Sequence, residues 1–343
     1  MQRVDRIIRG TWQLAHGHRI VGTSNDPLNV ILDAAGCGFR VFDCADIYQG
    51  AEELLGRARS RLRERGCEIR VHTKFVPDRD CLGQLRFEDA RAIVERSLRR
   101  LQVECLDLVQ FHWWDYKQPG YLEALGFLRR LQTEGKLRDI GLTNFNTFRL
   151  REILDLGFPI ASIQVQYSLV DRRPERSLVT LCQARNVRVL AYGTLLGGFA
   201  SERWLGQPRP REEELANRSL VKYQLVIDDW GGWDAFQALL RDLARIAQKH
   251  QTSIAQVAVE GALRCTRADA LIIGLGSRDP EAQNRLLSQQ CPLDESDIAR
   301  LEQWVFPLPG DVYELERSDA RHRGIMKYNL NQAPKDALHR SEL

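Results

Sequence analysis

The chain has 343 residues, of which 49 are Lys or Arg and 46 are Asp or Glu. Because this near balance lacks the basic excess typical of nucleic-acid binders, we expect no nucleic-acid partner. The opening residues lack the apolar core of a signal peptide, and no run approaches the roughly 18 apolar residues of a membrane span, so we expect a soluble cytoplasmic protein without a membrane partner.

Eight short apolar or β-branched runs recur along the chain and predict strands. In chain order they are Ile7–Trp12, Phe39–Cys44, Ile69–Lys74, Leu106–Phe111, Asp139–Thr143, Ile163–Tyr167, Val187–Ala191 and Leu271–Gly274. Helical patterns lie between most of them, such as the apolar face of Ala90, Val94, Leu98 and Leu101. Alternation of this kind implies right-handed βαβ units, and eight strands predict an α/β fold, a (β/α)8 TIM barrel.

The connection between the seventh and eighth predicted strands is too long for a single crossover. It holds two helical patterns, the second with Thr252 or Ser253 as N-cap, behind a long insertion from Phe199 to Asp234. Long insertions in compact domains are usually functional or mobile. Two interpretations of the insertion stay open: a lid over a bound substrate or cofactor, and a segment packed on the surface of the barrel.

The eight cysteines are scattered singly between Cys37 and Cys291, with no Cys-x-x-Cys pair. This spacing predicts reduced thiols and no metal site. Cys44 stands beside a polar strand end and could be redox-sensitive, but a small core residue is the favoured interpretation.

Polar residues stand at the ends of consecutive predicted strands. Asp43 and Tyr48 follow the second, Lys74 ends the third and His112 closes the fourth. The carboxyl ends of barrel strands are where such folds carry chemistry. A carboxylate, a phenol, an ammonium and an imidazole that converge there could deliver a proton to a carbonyl oxygen.

Each of these groups has a predicted part in that chemistry. The Lys74 ammonium favours the phenolate and should lower the pKa of Tyr48, which makes the phenol a usable acid. Asp43 would supply the counter-charge for Lys74. His112 would orient the carbonyl through a ring N–H and stabilise negative charge on its oxygen.

The segment from Gly38 to Tyr48, followed by Gly50, Glu52, Leu55 and Gly56, resembles the first signature of the aldo-keto reductase superfamily. The family's catalytic Asp, Tyr, Lys and His then fall on Asp43, Tyr48, Lys74 and His112. The resemblance runs from about Arg6 to the Trp304 region. It implies a barrel domain over residues 1–309 and leaves a charged tail over 310–343, either disordered or packed on the barrel or a neighbouring subunit.

The resemblance also implies a nicotinamide site at the ends of the fifth to seventh strands. Thr143, Asn144 and Gln164 match positions that bind the carboxamide, for which polar side chains are suited. Tyr192 matches the aromatic residue that stacks on the nicotinamide ring. The loop that contains Leu195 and Gly197 offers backbone N–H groups for a pyrophosphate.

The segment after the eighth strand resembles the site for the adenosine 2′-phosphate and the adenine. The matching residues are Gly274, Gly276, Ser277, Arg278, Gln283 and Asn284. Ser277 and Arg278 suit a dianionic phosphate, which favours NADPH and leaves NADH open. Ile273 stands where the family commonly has Pro, and Arg278 could instead be a surface-loop residue.

Aromatic residues next to these strand ends resemble the family's substrate pocket. They are Trp12, at the end of the first predicted strand, and Trp113 and Trp114, directly after His112. Core or rim packing is the alternative for paired indoles.

The predicted function is NADPH-dependent reduction of an aldehyde or ketone to an alcohol by hydride transfer, with Tyr48 as proton donor. The reverse oxidation of a sugar or polyol stays open, since sequence does not set direction. The predicted partner is a small carbonyl or alcohol substrate, and the oligomeric state is open. The alternative is a nucleotide-binding regulatory or sensor subunit with little turnover.

Overall fold

The structure is a computed structural model that describes residues 3–15, 26–277 and 279–331. Eight parallel strands close into a barrel in chain order, which confirms the predicted TIM barrel. The strands are β1 Ile7–Gly10, β2 Val41–Asp43, β3 Arg70–Phe75, β4 Leu106–Phe111, β5 Leu137–Thr143, β6 Ile160–Gln166, β7 Arg188–Tyr192 and β8 Ala270–Gly274. Predicted strand ends differ from these by up to three residues.

Helices surround the barrel and cover its outer face. Those before β7 are α1 Pro27–Gly36, α2 Ala51–Arg63, α3 Phe87–Leu101, α4 Tyr121–Thr133, α5 Thr147–Asp155 and α6 Leu178–Ala184. The later ones are α7 Arg218–Trp230, α8 Gly232–Lys249, α9 Ile254–Cys265, α10 Pro280–Ser288, α11 Glu295–Glu302, α12 Glu314–Ser318 and α13 Ala320–Gly324. None of the helices in the described ranges is long and apolar enough to cross a membrane.

Local signals explain where several helices begin. The Asp26 side chain accepts a hydrogen bond from the Leu28 N–H ahead of α1, whose first residue is Pro27. Ser253, one of the two predicted caps, accepts from the Gln256 N–H at the start of α9. Each cap satisfies an N–H that has no partner inside its own helix.

The segment from Phe199 to Asp234 is largely helical and packed, in agreement with the packed alternative of the two left open by the sequence. Asn217 caps α7 by accepting a hydrogen bond from the Leu220 N–H. The buried side chains of α7 include Tyr223, Ile227 and Trp230, at helical spacing. Prolines and the Trp-Gly-Gly-Trp cluster obscured this periodicity, although the two glycines only mark the turn into α8.

The strand register brings the polar strand ends to one level of the barrel. Gly10 of β1 pairs with both Asp43 and Gly274. Lys74 of β3 pairs with Gln110 of β4, and Gln166 of β6 pairs with Tyr192 of β7. Beneath them Ile8, Leu108, Leu190 and Ala270 form a buried apolar cluster. The residues above this cluster form the mouth of the barrel.

The tail from residue 310 to 331 crosses this mouth. Asp311 accepts hydrogen bonds from the Thr147 N–H and hydroxyl at the start of α5, at 2.7 and 3.1 Å. On the other side of the mouth, Asn331 donates to the Val76 carbonyl oxygen at 2.7 Å. The tail therefore spans from α5 to the loop after β3.

Candidate active site

A buried ion pair joins Lys74 and Asp43 at the ends of β3 and β2. The Lys74 Nζ lies 2.7 Å from Asp43 Oδ2 and 2.7 Å from the Cys44 carbonyl oxygen. Burial opposes the charge on Lys74, but Asp43 and Tyr48 outweigh it and raise the pKa of Lys74. The lysine is therefore held as an ammonium inside the barrel mouth.

Two side-chain amides hold the other oxygen of Asp43. Gln110 Nε2 and Gln164 Nε2 donate to Asp43 Oδ1 at 3.1 and 2.6 Å, and Gln164 Nε2 also lies 2.9 Å from Gln110 Oε1. Gln110 was not among the predicted site residues. Its position opposite Lys74 in the pairing of β3 with β4 places it at the site. In this structure Gln164, predicted to bind a carboxamide, supports the carboxylate.

Tyr48 lies between Trp12 and Lys74. The Trp12 and Tyr48 rings meet edge to face with centroids 4.8 Å apart, and the Lys74 Nζ is 5.1 Å from the Tyr48 centroid. Burial raises the pKa of Tyr48 to about 12, while the Lys74 charge acts to lower it. Lys74 thus acts in the predicted direction, but the expected net lowering of this pKa is wrong because burial outweighs it.

His112 presents an acceptor rather than a donor to the mouth. Its Nδ1 is 3.2 Å from the Thr143 carbonyl oxygen, and because that oxygen can only accept, Nδ1 carries the proton. Burial first, and then the Arg317 charge, lower the pKa of His112 to about 3. The ring is therefore neutral and its Nε2 is a lone-pair acceptor, so the predicted orienting ring N–H is not available.

The two tryptophans after β4 differ in their surroundings. Trp114 contacts the His112 ring edge to face at 4.3 Å and donates to the Pro77 carbonyl oxygen at 2.9 Å. Trp113 is fully buried in the core and packs on Phe111. Trp113 is therefore a core residue rather than a pocket wall, which is the alternative left open for the paired indoles, because its ring is fully buried among Phe111 and Tyr121.

The residues predicted to hold the nicotinamide lie together at the ends of β5, β6 and β7. Asn144 has a left-handed backbone with φ of 63°, and its Oδ1 accepts a hydrogen bond from the Tyr192 hydroxyl at 2.8 Å. Thr143, which precedes it, binds His112 through its carbonyl oxygen. The buried Nε2 of His112 has no hydrogen-bond partner among the residues described, so a polar ligand fits beside this group.

The loop after β7 is compact and requires glycine. At Gly197, with φ of 67°, a Cβ would lie 2.9 Å from the Tyr223 ring and 3.0 Å from the Ser219 carbonyl oxygen. The Leu195 carbonyl oxygen accepts the Gly198 N–H at 2.8 Å and tightens the turn. The buried Thr194 hydroxyl lacks a partner within the described ranges, which suits a loop that receives a phosphate.

The segment after β8 packs against the Gln13 side chain. A Cβ added at Gly274 would lie 2.5 Å from Gln13 Oε1, and one added at Gly276 would lie 2.4 Å from Gln13 Cγ. The Gln13 side chain therefore covers both glycines. Gln283 accepts from Arg9 at 2.9 Å, and the buried Asn284 donates to Asp33 at 2.8 Å. The Ser277 hydroxyl accepts the Asp279 N–H at 3.3 Å. Arg278 lies outside the described residues.

The tail supplies mouth residues that sequence reasoning did not assign. The Tyr313 ring meets the His112 ring edge to face at 5.6 Å. Glu316 is buried, 3.5 Å from the Lys222 Nζ and 3.8 Å from Arg173 Nη1. The only sequence signal for these contacts was the presence of large apolar residues in a charged tail.

A surface cavity of about 1100 Å³ lies at the opposite end of the barrel and is unrelated to this cluster. Its lining includes Arg59, Arg63, Arg99 and Lys136, near the amino ends of β4 and β5. Because barrel enzymes carry their chemistry at the carboxyl ends of the strands, we assign the candidate site to the mouth.

A closed parallel barrel with a buried ion pair, a phenol and an imidazole at the carboxyl ends of its strands defines a TIM-barrel enzyme. The profile of the aldo/keto reductase family matches residues 6–305, and the chain belongs to this family. This places it in the class of NAD(P)-dependent oxidoreductases.

Two named reductases are among its relatives. The chain is 30% identical over 260 residues to a probable aldo-keto reductase 1 of Glycine max, covering 71% of each chain. It is 27% identical over 253 residues to an NADH-specific methylglyoxal reductase of Escherichia coli, covering 66% of this chain and 76% of the relative. Across the curated relatives compared, the matched part spans from 46% to 76% of their own lengths.

Solved structures share the whole barrel. A glycerol dehydrogenase from Gluconobacter oxydans superposes with a TM-score of 0.68 at 25% identity, covering 87% of this chain and 90% of the other. An aldo/keto reductase from Klebsiella pneumoniae, solved in complex with NADP and acetate, superposes with a TM-score of 0.63 at 23% identity, covering 89% and 92%. At 23% identity, the similarity to the Klebsiella pneumoniae structure shows only that the two proteins share a fold.

Proposed function

We propose that this protein reduces an aldehyde or ketone to an alcohol, with Tyr48 as proton donor and NADPH as preferred coenzyme. The observation that carries the proposal is the Tyr48 phenol placed over an ammonium that Asp43 holds at 2.7 Å. With a pKa of about 12, the phenol stays protonated at neutral pH and can donate. The reverse oxidation of a sugar or polyol uses the same groups with the proton moving the other way.

The residues of the candidate site have separate roles in this proposal. Tyr48 gives its proton to the carbonyl oxygen, and the Lys74 ammonium stabilises the phenolate that results. Gln110 and Gln164 keep Asp43 oriented toward Lys74. The neutral His112 accepts a hydrogen bond at Nε2, for example from a hydroxyl group of the substrate or of the alcohol product.

A bound nicotinamide coenzyme would supply the hydride for the carbonyl carbon. Asn144 and Tyr192 would hold the nicotinamide, and the loop at Leu195 and Gly197 the pyrophosphate. The buried Thr194 hydroxyl, which has no partner among the described residues, fits such a ligand.

We assign NADPH as the preferred coenzyme, with NADH as a weaker substitute, on the Ser277 and Arg278 pair. Replacing Arg278 by Ala should weaken NADPH binding by roughly 10-fold or more and leave NADH binding nearly unchanged, because only NADPH carries the 2′-phosphate. Fluorescence titration of both coenzymes measures this. An unchanged ratio of the two dissociation constants would show that residues other than Arg278 bind the 2′-phosphate.

A panel of aldehydes and ketones at fixed NADPH tests the proposed activity. We expect steady turnover of at least one carbonyl compound, with product alcohol formed in proportion to coenzyme oxidised. Saturable NADPH binding without turnover of any panel member would favour the regulatory or sensor subunit instead.

A further inference from the structure

Arg317 places a fixed positive charge in the mouth of the barrel. Its Nη2 donates to the Trp113 carbonyl oxygen at 2.9 Å. The guanidinium carbon lies 4.1 Å from the Tyr116 centroid and 5.0 Å from the Tyr313 centroid. Stacking between two rings and one hydrogen bond holds the group in place.

This guanidinium is not neutralised by the carboxylates around it. Its Nε and Nη1 are shielded from solvent and have no hydrogen-bond acceptor among the residues of the described ranges. The two nearby tail carboxylates are engaged elsewhere, Glu316 with Lys222 and Asp311 with Thr147. A shielded charge with unused donors is costly unless a ligand supplies the acceptors.

The charge stands beside His112, whose buried Nε2 has no hydrogen-bond partner among the described residues. The Tyr313 ring contacts both the Arg317 guanidinium and the His112 ring, at 5.0 and 5.6 Å. Other cations described near the mouth face carboxylates, Lys74 facing Asp43 at 2.7 Å, Arg173 facing Asp171 at 2.6 Å and Lys222 facing Glu316 at 3.5 Å. Arg317 differs from them in facing no carboxylate and in having two buried donors, Nε and Nη1, without an acceptor among the described residues.

We propose that Arg317 binds an anionic group, a carboxylate or a phosphate, carried by the carbonyl substrate. This inference rests on the proposed function and narrows its substrate class to carbonyl compounds with an anionic group. The free Nε and Nη1 can each donate a charge-assisted hydrogen bond to an oxygen of such an anion. Residue 317 lies beyond the residues 6–305 that match the family profile, so this specificity belongs to the tail of this chain.

Matched substrate pairs separate this role from a purely structural one. The pairs are 4-carboxybenzaldehyde with benzaldehyde, 4-oxobutanoate with butanal, and glyceraldehyde 3-phosphate with glyceraldehyde. The first two test a carboxylate and the third a phosphate. We expect the wild-type protein to prefer the anionic member of at least one pair in kcat/KM.

The variant Arg317→Gln should lower that preference ratio by about 10- to 100-fold, because a charge-assisted hydrogen bond is lost. Arg317→Lys should retain part of it, since the charge remains. Arg321→Gln, on the neighbouring helix α13 and exposed, is the matched control and should leave the ratio unchanged. A ratio near one in the wild-type protein, or equal losses for both members in Arg317→Gln, would overturn the inference.

A binding measurement keeps the anion site separate from the proposed activity. Benzoate should bind saturably to the coenzyme-loaded protein and change the tryptophan fluorescence from Trp114, whereas neutral benzamide should bind far more weakly. Arg317→Gln should abolish the difference. If no aldehyde is reduced but benzoate binds through Arg317, the proposed function fails and the anion site stands. Equal benzoate binding in both proteins overturns the anion site and leaves the proposed function intact.

Discussion

Two opposed effects set the pKa of Lys74, and both result from its position inside the barrel mouth. Removing the lysine from water disfavours its charge, while the Asp43 carboxylate at 2.7 Å favours it, and the carboxylate dominates. The same burial acts on Tyr48 without an equal compensation, so the phenol stays protonated. Both pKa values are raised, so Tyr48 is a neutral acid next to a permanent cation at neutral pH.

Replacing Lys74 by Met should disable catalysis and destabilise the fold. Asp43 would keep only its two amide donors, and breaking a buried ion pair costs about 3–5 kcal/mol. In alcohol oxidation Tyr48 must be deprotonated, and without Lys74 its pKa rises, so the acid limb of the pH profile moves to higher pH. Lys74→Arg, which keeps the charge, is the control. A residual reaction with the wild-type acid limb would show that Lys74 does not tune Tyr48.

A second buried carboxylate links the Tyr48 loop to the tail. Asp46 Oδ2 accepts from Asn331 Nδ2 at 3.1 Å and from the Val76 N–H at 3.4 Å. Burial, and then the charge of Glu52, raise the pKa of Asp46 to about 7. Because the pKa of this carboxyl is higher folded than unfolded, its contribution favours folding below about pH 4 and is lost as the pH rises through 7.

The Asp46→Asn variant should therefore gain stability relative to the wild-type protein as pH rises. At pH 5 both side chains are largely neutral in the folded state, whereas at pH 8 only the wild type carries a buried charge. The difference in free energy of unfolding should change by at least about 1 kcal/mol in favour of the variant. Denaturant unfolding at the two pH values measures it, and a difference that does not change with pH would refute the account of Asp46.

Ion pairs of Glu316 fix the tail to the rest of the protein, and this set of contacts is called the tail brace. Glu316 enters the mouth with α12 and faces Lys222 of α7 and Arg173, so one carboxylate joins the tail to the insertion and to the barrel. Burial opposes the charge of Glu316, but Lys222 and Arg173 lower its pKa overall. The Arg173 guanidinium is held in turn by Asp171 at 2.6 Å.

Glu316→Gln should release this brace. Two buried cations would lose part of their compensation, so we expect a loss of about 3 kcal/mol at neutral pH. Glu213→Gln is the control, because its ion pair with Arg211 is exposed and such pairs contribute little. Thermal unfolding and limited proteolysis of the tail measure the effect. Equal melting temperatures for the two variants would contradict a bracing role.

The elements differ in how far sequence reveals them. Strand ends such as Asp43 and Lys74 were predictable because a short β-branched run precedes each of them and a family signature places them. The contacts of Glu316 with Arg173, and of Asn331 with Asp46, join residues far apart in the chain, and no local pattern encodes such pairs. The direction of the His112 ring depended on the Thr143 carbonyl oxygen, which only the folded barrel places beside it.

At the scale of the whole molecule, barrel closure makes the site from residues that are distant in sequence. Eight parallel strands bring Asp43, Lys74, His112 and Tyr192 to one end, and the tail covers that end with Tyr313 and Arg317. The barrel lies within the residues 6–305 that match the family profile, whereas the tail lies outside them. We therefore propose that catalytic chemistry and substrate choice reside in different parts of the chain.

The Tyr48→Phe variant tests whether Tyr48 delivers the proton to the carbonyl oxygen. Steady-state turnover of the best carbonyl substrate should fall by roughly 10²- to 10⁴-fold, the usual cost of losing a general acid. NADPH affinity, measured by fluorescence titration on the same preparation, should be retained. Turnover close to wild type in a Phe variant that still binds NADPH would contradict the account.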